Sequence, residues 1–126
     1  MIELRNELFA APTDAWQRVP FTENHHKWLL LWCRYGDGGF CFSFISPRKR
    51  MYSYDTDGEG GRVTSAVVVV ANGKRTVASY YSSWGDKLDR LDAVLRLTPK
   101  HILDRLHMLL DAIGYYASES DAKEDF

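Results

Sequence analysis

The chain has 126 residues, a formal net charge of −1, 45% hydrophobic and 26% charged residues. Those values describe one folded domain with no room for a second independent core, and they exclude a disordered chain. They also exclude a molecule-wide positive field toward nucleic acid or anionic membrane, so any such affinity has to come from a local patch.

The longest apolar run, Trp28 to Cys33, is far too short to span a bilayer. The first residues lack the basic-then-apolar order of a secretion signal, and neither end carries a lipidation pattern. The expected address is therefore the cytoplasm. Two cysteines, Cys33 and Cys41, cannot make a disulfide framework or a four-thiolate zinc site. In a reducing compartment they read as small hydrophobes.

In chain order, residues 2–10 carry helix formers with apolar side chains able to share a face, and Pro12 ends them. Thr13 then caps a short helical turn from Asp14 to Val19, stopped at Pro20. Next come Trp28–Arg34 and Phe40–Ile45 around Gly36-Asp37-Gly38-Gly39, which predict a β-hairpin. A three-residue loop at 36–38 sets Trp32 opposite Phe42 and Leu30 opposite Phe44, gathering six large side chains on one face. A two-residue loop scatters them. The first register is expected, with Gly38 in the left-handed conformation and Cys33 across from Cys41.

Ser46-Pro47 interrupts the sheet, and Arg50 to Tyr54 predicts a further short strand. Asp55 to Gly61 reads as an exposed acidic loop. Its Asp-Thr-Asp-Gly opening is like that of a calcium loop, but position twelve is Ala66, where a bidentate Glu is needed. Val67–Ala71 and Lys74–Tyr81 flank Asn72-Gly73, a type I′ hairpin signal. Four consecutive valines must place apolar groups on both faces of that strand, so it is covered on both sides or one face awaits a partner.

From Trp84 the period changes to that of a helix, with Trp84, Leu88, Leu91 and Leu95 in one stripe and Asp86–Arg90 and Asp92–Arg96 as surface pairs. Thr98-Pro99 predicts a capped helix start. Ile102, Leu103, Leu106, Leu109, Leu110 and Ile113 then form an apolar face closed by Gly114. The expected architecture is α+β: an antiparallel sheet of four to five strands from consecutive hairpins, two C-terminal amphipathic helices on one face, and a short N-terminal helix. Residues 1–116 form the domain and 117–126 a flexible acidic tail.

One segment carries interaction chemistry. If Arg48-Lys49-Arg50-Met51-Tyr52-Ser53-Tyr54 is extended, Arg48, Arg50, Tyr52 and Tyr54 project the same way, joined by Lys49. Such a strip can anchor an acidic protein, or neutralise phosphates and stack bases, or protect an edge strand from aggregation. The neighbouring acidic loop disfavours a phosphate track. Asp104, His107 and Asp111 share a helical face, which more often is a solvated stripe than a metal site. Cys33 has no pKa-lowering neighbour to make it a nucleophile. No catalytic residue, metal ligand or cofactor is expected.

No motif is specific enough to name a family. In size and composition the chain resembles small bacterial or phage proteins that act by stoichiometric binding, such as immunity proteins, secretion chaperones and inhibitors of host defence. The expectation is thus a non-catalytic protein-binding protein of the immunity, antitoxin or inhibitor type, using Arg48, Lys49, Arg50, Tyr52 and Tyr54. The alternatives are a nucleic-acid-binding accessory protein using the same strip, and a small enzyme or ligand-binding protein. A homodimer through an exposed sheet face is a further option.

Overall fold

The hairpin between Trp28 and Ile45 has the register that aromatic clustering demands. In the computed structural model, which describes residues 2–57, 62–70, 75–81 and 88–114, Trp32 pairs with Phe42, Leu30 with Phe44 and Cys33 with Cys41. The loop is residues 36–38: the Tyr35 N–H donates to the Gly39 carbonyl at 2.8 Å, and Gly38 adopts φ 98°. These two strands are β2 (His26–Arg34) and β3 (Phe40–Ile45) of a six-stranded antiparallel meander. The others are β1 (Gln17–Glu23), β4 (Arg50–Thr56), β5 (Val63–Val70) and β6 (Arg75–Tyr81), in spatial order β1 to β6.

The sheet therefore has six strands, not four to five. The additional one is β1, where a helical turn over 14–19 was expected. Pro20 does not stop a helix here; it sits in an edge strand, where its missing N–H costs no ladder hydrogen bond. The overlooked signal is Asn24-His25, both at positive φ (50° and 68°), the geometry of a two-residue hairpin turn. Thr13, read as a cap, instead forms an isolated bridge to Arg34.

Among the described residues three helices complete the α+β fold: α1 (Ile2–Ala10), α2 (Leu88–Leu97) and α3 (Lys100–Ile113). Alternation puts Trp28, Trp32, Phe40, Phe42, Phe44, Tyr52, Tyr54 and Val68 on one face of the sheet, in one cluster with Leu8, Val94, Ile102, Leu106 and Leu109 from the helices. Arg5 fastens α1 to the end of α3 by donating to the Ala112 and Ile113 carbonyls at 2.8 and 3.3 Å, a cation at a helix C-terminus. The Asp92–Arg96 pair forms on α2.

The start of α3 departs from the capping expectation. Its N-cap is Pro99, without a side-chain cap. Thr98 is buried, donates to the Val94 carbonyl at 3.1 Å and is hydrogen-bonded to the Tyr54 hydroxyl, so its oxygen is consumed by the core rather than by the helix.

The opposite sheet face carries Leu29, Leu31, Ile45, Met51, Val67 and Val69, all half-buried and outside the main cluster. The split of the valines between two faces follows the alternation argument. Trp84, the Asp86–Arg90 pair, the Asn72-Gly73 turn, most of the acidic loop and the tail 117–126 lie outside the described residues.

Candidate functional site

The sequence Ser46-Pro47-Arg48-Lys49-Arg50 folds as a tight hairpin turn, and its bonds say why. Ser46 accepts from the Lys49 N–H and donates its own N–H to the Arg50 carbonyl, both at 2.9 Å. The Ser46 hydroxyl oxygen accepts the Arg50 N–H, also at 2.9 Å. Ser-Pro is a favoured start for such a turn, because proline fixes φ at its second position. The fourth residue must then take a left-handed conformation, and Lys49 does so with φ 67°. A non-glycine residue there costs about 1 kcal/mol.

This turn forms one wall of an open cavity of about 630 Å³ at the end of the sheet. Arg48, Lys49 and Arg50 line it beside Asn24 and His26 from the β1–β2 hairpin, Val70 from β5, and Pro99 and His101 from the start of α3. Trp28 and Tyr52 are its floor, 8% and 5% exposed. Among the described residues the wall holds the cationic Arg48, Lys49 and Arg50 and a single carboxylate, Glu23. That carboxylate is already engaged by Arg105 at 2.6 Å, whose guanidinium also lies over the Phe21 ring. Among the described residues no acidic side chain pairs with Arg48, Lys49 or Arg50, whereas the neighbouring Lys100 is paired with Asp104 at 3.1 Å.

Two features of α3 add to the positive character. With no side-chain cap, its first turn bonds inward only from Ile102 and Leu103, both to the Pro99 carbonyl. The preceding amides are thus available to an acceptor, at the positive end of the helix dipole. His101 packs its ring edge-on to Trp28, centroids 5.4 Å apart, and its Nε2 is buried with no hydrogen-bond partner among the described residues. Orphaned buried polar atoms are uncommon in native proteins.

Of the five residues expected to form the site, Arg48, Lys49, Arg50 and Tyr52 meet in this cavity. Tyr54 does not: it is fully buried, hydrogen-bonded to Thr98, with its hydroxyl pushed up to about 12 chiefly by burial. Arg50, Tyr52 and Tyr54 do project to one side, but that side is the core face, so the strip dips inward along its length. Sequence reasoning does not join His26, Asn24, Pro99 or His101 to this strip; a meander brings them to the same end of the sheet from distant parts of the chain.

A second polar group lies on the other sheet face. Asp55 accepts hydrogen bonds from Tyr35 at 3.2 Å and Ser65 at 2.9 Å, and Ser43 and Ser53 share one at 2.8 Å beside the Cys41 thiol. Asp55 thus belongs to β4 and not to the exposed loop expected from residue 55 onward. Burial and the Asp55 carboxylate push the Cys41 thiol up, opposite to what a nucleophile needs. Asp104, His107 and Asp111 are exposed, and no group of three or more potential metal ligands occurs among the described residues. No helix in the described residues is long and apolar enough to cross a membrane.

Compared with protein-family models, with curated proteins and with solved structures, the chain matches none.

Proposed function

We propose that this protein acts by stoichiometric, non-catalytic binding of a partner protein, in the manner of an immunity protein or inhibitor, and that the cavity formed by Arg48, Lys49, Arg50 and Tyr52 takes an acidic segment of that partner. The observation that carries the reading is the set of three cations, unpaired among the described residues, on the wall of an open cavity with an aromatic floor. Arginine is a common anchor of protein interfaces, and a rim of one charge sign also accelerates encounter with a partner of the other.

The nucleic-acid alternative draws less support from the same residues. Base stacking needs an open ring face, and Tyr52 and Trp28 present only their last few percent of surface. Tyr54 presents none.

The test is capture of the partner from the native host, followed by size-exclusion measurement of a one-to-one complex. Arg48→Glu with Arg50→Glu is expected to abolish capture, and rising salt to weaken it. Arg18→Glu, exposed on β1 at the end away from the β1–β2 hairpin, should leave it intact. If capture survives the reversal at 48 and 50, the interface lies elsewhere on the molecule.

A further inference from the structure

We infer that the group this cavity accepts is a phosphomonoester, carried on a side chain of the partner protein. The inference rests on the binding reading above and adds the chemistry of the recognised group.

Charge is the first argument. A carboxylate offers one negative charge and two oxygens. A phosphomonoester near neutral pH carries about −1.5 to −2 and three terminal oxygens. Arg48, Lys49 and Arg50 supply three cations from consecutive residues, with no acidic partner among the described residues. That density exceeds what one carboxylate neutralises and suits a dianion. Guanidinium groups also match phosphate oxygens in pairs, and a lysine adds a point charge.

Position is the second. The start of α3 contributes Pro99 and His101 to the same cavity, with first-turn amides not used inside the helix. Backbone N–H groups at a helix N-terminus are good phosphate ligands, and this helix start lines the same cavity as the cationic turn rather than standing alone. The wall also includes His101, its ring edge-on to Trp28.

The turn itself is the third. The chemistry of the left-handed position favours glycine, which the equivalent turn between β2 and β3 uses as Gly38. Lys49 holds that position at a conformational cost, and strain retained at a ligand-facing residue is the pattern of a functional constraint. A glycine would fold better and bring one cation fewer.

The experiment follows backbone amide NMR shifts of the whole chain, at low salt, on titration with inorganic phosphate. Binding is then compared for one acidic peptide carrying phosphoserine, glutamate or serine at its centre, and for free O-phosphoserine. The expected result is saturable shifts at Arg48, Lys49, Arg50, Lys100 and His101. The phosphoserine peptide should bind about tenfold or more tighter than the glutamate peptide, the gain from added charge-assisted hydrogen bonds. Arg48→Ala with Arg50→Ala should remove that preference, and Arg18→Ala, on β1 away from the cavity, should keep it. Equal affinity for the phosphoserine and glutamate peptides, or no saturable shift with phosphate, overturns the phosphate assignment and leaves the acidic-partner reading standing. Free O-phosphoserine binding as tightly as the peptide overturns the protein-borne source, and points to a small phosphorylated ligand.

Discussion

The two hairpin turns at the ends of β3 share one backbone plan and serve opposite ends. Each starts with a residue that accepts from the amide three positions on and donates to the carbonyl four positions on: Tyr35 with Gly38 and Gly39, Ser46 with Lys49 and Arg50. Each needs a left-handed residue, Gly38 at 98° in one and Lys49 at 67° in the other. The glycine turn is knitted into its surroundings. Asp37 accepts the Gly39 N–H at 2.9 Å, Asp14 accepts the Gly36 N–H at 3.2 Å, and Phe40 donates to the Thr56 hydroxyl at 3.0 Å. The basic turn satisfies its own backbone through Ser46, and its three cationic residues line a cavity. On the same plan the glycine turn avoids a left-handed side chain, whereas the basic turn carries a lysine there, at a cost in stability that the proposed binding role explains.

The contrast can be sharpened with pH. Tyr54, in the core, and Tyr35, half-buried beside Asp55 on the other face, have hydroxyls pushed up above the usual 10, chiefly by burial and in Tyr35 also by the Cys41 and Asp55 charges. For Tyr54 the folded value is about 12. Between pH 10 and 12 the unfolded chain releases this proton while the native chain keeps it. Stability is then complete below pH 10 and falls as pH rises toward 12, by roughly 2–3 kcal/mol for a two-unit difference. Urea unfolding at pH 8, 10 and 11 measures this, and Tyr54→Phe should flatten the decline by that residue's share.

Within the glycine turn, Gly39→Ala is the next largest expected effect. A Cβ there meets the Thr56 carbonyl oxygen at 2.6 Å, a backbone atom that cannot swing aside without shifting β4. A loss of about 2 kcal/mol is expected in urea unfolding. An unchanged midpoint shows that the two strands separate at that end without cost. Gly38→Ala should lose about 1 kcal/mol, because only the left-handed conformation is penalised. If it costs nothing, the turn relaxes to another form and the comparison with Lys49 weakens.

How much of this was legible in the sequence depends on the range of the cause. The register of β2 and β3 follows from aromatic alternation plus the loop glycines, which are neighbours in sequence, and it was readable. Strand β1 was not, because Pro20 signals a break and an Asn-His turn is a weaker cue than Asn-Gly. The Thr98 hydroxyl was assigned to a cap by a local rule, but a long-range partner, Tyr54, claims it. The site divides the same way. Arg48 to Tyr52 stood out as one run of residues, while His26 and His101 join them only because the meander and α3 end at the same place. Tyr54 was misplaced on the surface strip since alternation gives a side of the sheet and not which side the helices cover.

The most direct measurement is on Lys49→Gly, read two ways on the same preparation. Relief of the left-handed lysine should raise stability in urea unfolding by about 0.5–1 kcal/mol, while loss of the cation should weaken binding of the phosphoserine peptide several-fold. Stability and affinity moving in these opposite directions is the outcome expected of a turn that carries charge at the expense of fit. A stability gain with unaltered binding, or a loss of stability, contradicts it.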